Sequence, residues 1–123
     1  MSLLTVLCIM FCLSISVSAE PRYSDNSTIT LGLSYYSSGA SCYARIKGSA
    51  GTTSISNCTV TLTDSKGSVV KSWTNLSATG TTLTFSKTAS DVTKGESYTL
   101  SVTATVNRNG SSENVSDSVT KTY

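Results

Sequence analysis

The sequence predicts an all-β fold, a seven-stranded antiparallel sandwich of two sheets, and three observations carry that prediction. From Ser97 to Val106 the chain alternates without a break. Tyr98, Leu100, Val102, Ala104 and Val106 share one parity, and only Ser and Thr occupy the other. Side chains on a strand point alternately to opposite faces, so this stretch has one apolar face and one hydroxyl-coated face. Next, Ser and Thr make up more than a third of the chain while charged residues are only 13%. Thr suits strands and Ser suits turns, so the bias favours sheet over disorder. Lastly, short alternating segments recur between Gly-bearing turns, and no segment shows a helical period.

Each strand follows from the same alternation. The first covers Thr28 to Leu33, with Ile29, Leu31 and Leu33 inward, and Tyr35 to Gly39 is the loop after it. The second covers Ser41 to Lys47: Cys42, Ala44 and Ile46 point in, and Tyr43, Arg45 and Lys47 point out. Gly48 to Ser54 is a loop of small residues. The third covers Asn57 to Thr63, with Cys58, Val60 and Leu62 inward and threonines outward. Asp64-Ser65-Lys66-Gly67 is a turn with Gly available for positive φ. Ser68 to Trp73 has mixed parity and suits a short edge strand, and Asn75 to Gly80 is a loop. Thr82 to Ser86 is the fifth strand, with Leu83 and Phe85 inward. Thr88 to Glu96 is the corner before the central strand.

The sixth strand is the Ser97–Val106 stretch itself, ended by the turn Asn107-Arg108-Asn109-Gly110. A Tyr at its head, just after a Gly-bearing corner, predicts that the Tyr98 hydroxyl ties to backbone between Val92 and Lys94. The seventh strand runs from Glu113 to Tyr123. Its Val115 and Val119 parity also holds Asp117 and Lys121, a way of protecting a sheet edge. The expected sheets are the first, second and fifth strands against the fourth, third, sixth and seventh.

Two cysteines fall within the strands, and an even count in a secreted chain argues for a bridge. Strand geometry argues against it. With the second strand running up to Lys47 and the third running down from Asn57, Cys42 sits about four residues below Cys58, roughly 13 Å at ~3.3 Å per residue, beyond the ~7 Å Cα limit for a disulfide. The expectation is two buried, unbonded thiols.

Ahead of the strands, Leu3 to Val17 is an apolar run ending in Val17-Ser18-Ala19, followed by Glu20-Pro21-Arg22. It is shorter than the ~20 residues that span a bilayer, and it reads as a signal peptide, residues 1–19, cleaved after Ala19. Residues 20–27 form a loose arm, and 28–123 form the sandwich domain. The mature chain is expected to be secreted, extracellular and free of the membrane.

The strings Cys42-Tyr43-Ala44-Arg45-Ile46-Lys47-Gly48, Val70-Lys71-Ser72-Trp73, Lys94-Gly95-x-x-Tyr98-Thr99-Leu100 and Arg108-Asn109-Gly110-x-x-Glu113 resemble a family of short, uncharacterised secreted proteins of Gram-positive bacteria. The resemblance covers Thr28 to Tyr123 and implies an immunoglobulin/fibronectin III-like sandwich. Its motifs are turns, a corner and core positions, so it brings no activity and no site residues. Cys58 lies outside the family's pattern. The antibody type is excluded, because the sixth strand lacks a cysteine and Trp73 is not on the third.

Searching for chemistry proceeds by exclusion. The chain has no histidine, which removes the commonest general base and metal ligand. No Gly-x-Ser-x-Gly elbow is present, and Lys66, Lys71, Lys87 and Lys94 fall where solvent-facing lysines fall. The acids Glu20, Asp25, Asp64, Asp91, Glu96, Glu113 and Asp117 are scattered one per loop or edge and read as turn formers. Neither a calcium nor a zinc ligand set is present, so no catalytic, metal or cofactor residue is expected and the protein is read as a non-enzyme. A net charge of +2 without clusters gives no footprint for nucleic acid.

Three surface features remain. Thr59, Thr61, Thr63, Thr99, Ser101, Thr103 and Thr105 should form one continuous hydroxyl field. Five Asn-x-Ser/Thr sequons begin at Asn26, Asn57, Asn75, Asn109 and Asn114. The third feature is the tyrosines: Tyr35, Tyr36 and Tyr43 are the candidate contact residues, able to stack on a sugar ring or anchor a protein. The expected function is that of a monomeric extracellular interaction or accessory module for a protein partner. The alternative is a glycan-binding module using those tyrosines.

Overall fold

The structure, a computed structural model, describes residues 27–123. The expected signal peptide and residues 20–26 of the expected arm lie outside the described residues. Seven strands follow in order: β1 (Thr28–Tyr36), β2 (Gly39–Lys47), β3 (Thr52–Asp64), β4 (Val69–Thr79), β5 (Thr82–Ala89), β6 (Ser97–Arg108) and β7 (Ser111–Thr122). They form a three-stranded sheet, β1-β2-β5, and a four-stranded sheet, β4-β3-β6-β7, with every pair antiparallel. No helix is present among the described residues. The sheets have the membership expected from the alternation, and β6 is central as its pattern required.

The core lies between the sheets. Leu33, Ile46, Ile55, Leu62, Leu100, Val60, Val102 and Val106 are fully buried, with Leu83, Phe85 and Val115 beside them. Each such side chain removed from water contributes about 1.5–3 kcal/mol against the entropy of ordering the chain. All five apolar residues of β6 are buried. Among the described residues, only Tyr36 and Val69 leave a large apolar group exposed.

The strands are longer than the alternation marks, and the reason is a change of parity within them. Ile55 and Cys58 are both buried although three residues apart, which straight pleating forbids. The β3–β6 register moves from Ser56 opposite Thr105 to Thr59 opposite Thr103. One extra residue is therefore bulged out, and Asn57 takes it up at φ 50°, a left-handed conformation that Asn tolerates better than most residues. On β4, Cys58 opposite Leu76 gives way to Val60 opposite Trp73, and Asn75 at φ 57° absorbs that bulge. The stretches 52–54 and 75–79, expected as loop, are thus strand on the far side of a bulge. Tyr35 and Tyr36, also expected in a loop, are the last residues of β1.

The expected Asp64–Gly67 turn is present. Asp64 Oδ1 accepts from the backbone N–H of Lys66 and of Ser68, each at 2.9 Å, and Gly67 supplies φ 85°. The corner before β6 is also as expected: the Thr93 N–H donates to the Tyr98 hydroxyl at 2.7 Å. Cys42 and Cys58 are buried and free.

Candidate functional site

The three candidate tyrosines part company. β1 extends its alternation through Tyr35, so Tyr35 takes the inward parity of Ile29, Leu31 and Leu33 and enters the seam between the sheets. Its ring stacks on Tyr123, with centroids 4.6 Å apart and an interplanar angle of 6°, and lies 6.2 Å from the Tyr98 ring. Its hydroxyl donates to the Lys121 carbonyl at 2.7 Å. Burial, reinforced by neighbouring Tyr98 and Cys42, pushes the phenol above the ordinary tyrosine range. The Tyr123 hydroxyl closes the same seam by donating to the Tyr36 carbonyl. Tyr35 is thereby committed to joining β1 to β7, and the expectation of an exposed loop aromatic is corrected.

Tyr36 and Tyr43 have the opposite parity and share the outer face of the three-stranded sheet. Tyr43 is half-buried because it leans over Gly32, its cross-strand partner. A Cβ at Gly32 would stand 3.5 Å from the Tyr43 Cβ and 3.8 Å from its Cδ2. Four residues separate Tyr36 from Gly32 on β1, so the two rings are roughly 13 Å apart along the sheet.

The register arranges the rest of that face in rows across three strands. Lys47 lies between Thr28 and Thr82, Arg45 between Thr30 and Thr84, and Tyr43 between Gly32 and Ser86. Arg45 and Lys47 are exposed, and together with Thr28 and Thr30 they line a hollow of about 120 Å³. The three strands of this sheet carry Arg45, Lys47 and Lys87 and contain neither Asp nor Glu. All the strand carboxylates, Asp64, Glu113 and Asp117, are on the other sheet. A sequence whose charges are evenly spread along the chain is therefore sorted by folding into one sheet of a single sign.

The hydroxyl field on the four-stranded sheet is present, with Thr59, Thr61 and Thr63 directly opposite Thr103, Ser101 and Thr99. Much of its hydrogen bonding is internal. Thr99 bonds Thr120 at 2.8 Å and Ser97 bonds Thr122 at 2.6 Å. Thr105 donates to Asn114 Oδ1 at 2.9 Å, and the Asn107 amide donates to Ser54 and Ser56. Such a ladder steadies β6 against its neighbours and leaves fewer donors for a ligand.

Sequence spacing scattered the acids, yet Asp64, Asp91 and Glu96 meet around one depression of about 350 Å³ that Lys66 and Tyr98 also line. Asp64 already accepts two backbone N–H groups there, and no cluster able to hold a metal ion occurs among the described residues. Lys66, Lys71, Lys87 and Lys94 are all exposed.

At the opposite end of the sandwich, three turns converge. Gly48 donates to the Thr81 carbonyl at 2.8 Å, and Arg108 Nη2 donates to the Ala50 carbonyl at 2.9 Å. The chain matches no protein-family model, and no curated protein matches it.

Proposed function

We propose that this protein is a secreted, monomeric, non-enzymatic sandwich of the immunoglobulin/fibronectin III-like type that serves as an extracellular interaction module. The sheet order β1-β2-β5 against β4-β3-β6-β7 and the Tyr98 corner support the fold-type assignment. The apolar leader supports secretion. The resemblance to short secreted Gram-positive proteins is consistent with both.

The observation that carries the functional reading is that Tyr36 and Tyr43 share the outer face of the three-stranded sheet, where Tyr36 is 40% exposed. Aromatic side chains with a polar tip are the usual anchors of a contact surface. The partner, an extracellular protein or a glycan, docks on this face, and Tyr35 is withdrawn from the contact set.

The test is a pull-down and a glycan array comparing the wild type with Tyr36→Ala/Tyr43→Ala. Circular dichroism shows whether the variant is folded. Loss of the captured ligand is the expected result. Undiminished capture by this variant, together with loss on Ser101→Glu/Thr103→Glu, moves the contact to the other sheet and overturns the reading.

A further inference from the structure

We infer that the outer face of the three-stranded sheet binds an acidic polysaccharide, with Arg45 and Lys47 pairing its sulfate or carboxylate groups and Tyr43 stacking on a sugar ring. This rests on the proposal that the same face is the contact surface, and it specifies the ligand class.

Charge complementarity is the first support. Arg45 and Lys47 stand two residues apart on β2 with parallel outward directions, roughly 6.6 Å along the strand. Their sheet holds no carboxylate that could neutralise them. Exposed cations on a sheet without carboxylates are attracted to an external anion, and the effect of two in a row is cumulative.

Shape is the second. The hollow between Arg45, Lys47, Thr28 and Thr30 is about 120 Å³. That is large enough to seat one sulfate or carboxylate group. The guanidinium fork presents paired donors to such a planar or tetrahedral oxyanion. The threonine hydroxyls of each row both donate and accept, which matches sugar hydroxyls.

The third is the aromatic. Tyr43 lies one row further along the same strand, flanked on one side by Gly32. With no side chain at Gly32 the ring lies low over that residue, and the face turned away from Gly32 is the one that meets the sugar.

Other polyanions fit less well. Nucleic acid binding needs many phosphate contacts because each contributes little at physiological salt, and a chain of net charge +2 offers two here. An acidic peptide would seek an apolar pocket for an anchor side chain, whereas the neighbours of Arg45 and Lys47 in their rows are all threonines.

The experiment measures binding of the chain to dextran sulfate, uncharged dextran, polyphosphate, polyglutamate and duplex DNA at rising salt. Dextran sulfate is expected to bind best, and to weaken as salt shortens the screening length. Arg45→Gln/Lys47→Gln should weaken it about tenfold, the combined loss of two exposed ion pairs. Lys71→Gln/Lys94→Gln removes the same charge elsewhere and should leave binding unchanged. Tyr43→Ala should weaken dextran sulfate but not polyphosphate, which has no ring to stack.

Equal losses in both charge variants would mean attraction by net charge alone and overturn the inference. So would stronger binding of DNA or polyglutamate than of dextran sulfate. If a ligand is instead lost on Tyr36→Ala/Tyr43→Ala and kept on Arg45→Gln/Lys47→Gln, the contact face stands and the acidic-glycan inference fails.

Discussion

Replacing Tyr98 by Phe removes one oxygen and leaves the ring in the core, so its effect isolates the corner. The Thr93 N–H that donates to the hydroxyl would lose its partner at a half-buried position. The expected cost is about 1–2 kcal/mol, the scale of a backbone group left unpaired, read as a lower urea midpoint at unchanged slope. An unchanged midpoint would show that water replaces the phenol without penalty. Gly48 is constrained differently. A Cβ there would stand 2.8 Å from Thr52 Cβ and closer still to Thr52 Oγ1, and Thr52 is itself buried. Gly48→Ala should cost about 1–3 kcal/mol as overpacking, and Gly48→Ala/Thr52→Gly should recover part of it; additive losses would place the strain elsewhere. The thiols make a prediction in pH. Burial raises Cys42 and Cys58 from 9.0 to about 11, so the folded state holds both protons more tightly than the unfolded state. Their contribution to stability is therefore intact below pH 9 and declines as pH rises from there to about 11, by on the order of 3 kcal/mol per thiol. Cys42→Ala/Cys58→Ala should flatten that decline, and the native thiols should resist a charged disulfide reagent at pH 8. Equal decline in the variant, or rapid labelling, would contradict the burial argument.

Long edges must be kept from pairing with other chains, and both sheets use charge of inward parity to do so. On β7 the Asp117 carboxylate accepts from the Ser118 backbone N–H at 2.8 Å, occupying a donor that another strand could use. On β5, Lys87 has the parity of Leu83 and Phe85 yet is exposed, which makes that edge hostile to an apolar strand. Asp117→Val would extend the Val115/Val119 stripe and release the Ser118 N–H. It should promote concentration-dependent self-association in sedimentation or light scattering, with little loss of monomer stability. A variant that stays monomeric at high concentration would remove Asp117 from this role. These strands also show what the sequence could convey. The inward sets of β2, β5 and β6 were legible because unbroken alternation leaves one way to face the core. The full lengths of β3 and β4 were not, because bulges at Asn57 and Asn75 exchange the two faces and make a continued strand look like a loop. Tyr35 was misplaced for a related reason: Ser34-Tyr35-Tyr36 continues the alternation of β1, but tyrosine suits a loop surface as well as a core edge. The candidate site was half legible. Tyr43, Arg45 and Lys47 are visibly on one side of one strand, but their rows with Thr28, Thr30 and Thr84 depend on register. The sorting of charge between sheets depends on which strands pair, and neither is a local property.

Two aromatic contacts join the sheets along their open sides, and they need not form at the same moment in folding. On one side Trp73 of β4 packs edge-on against Phe85 of β5 at 4.9 Å, between strands close in sequence. On the other, Tyr35 of β1 meets Lys121, 86 residues away in the chain, and Tyr123 just beyond it. Closing so long a loop carries the larger entropic cost and is repaid only when both sheets exist, so this seam should form after the rate-limiting step. The topology is dominated by non-local antiparallel pairs, which places folding in the millisecond-to-second range. The sole proline, Pro21, precedes the first strand, so no phase of tens of seconds from prolyl isomerisation is expected. Trp73 is the only tryptophan and its fluorescence reports on the first contact. Stopped-flow mixing should give a single exponential in both directions. Tyr123→Ala should accelerate unfolding several-fold while leaving the folding rate nearly unchanged, as expected for a contact absent from the transition state. Phe85→Leu, on the opposite side, should slow folding. If Tyr123→Ala slows folding as much as it speeds unfolding, the β1–β7 seam is part of the nucleus and the order of assembly is reversed.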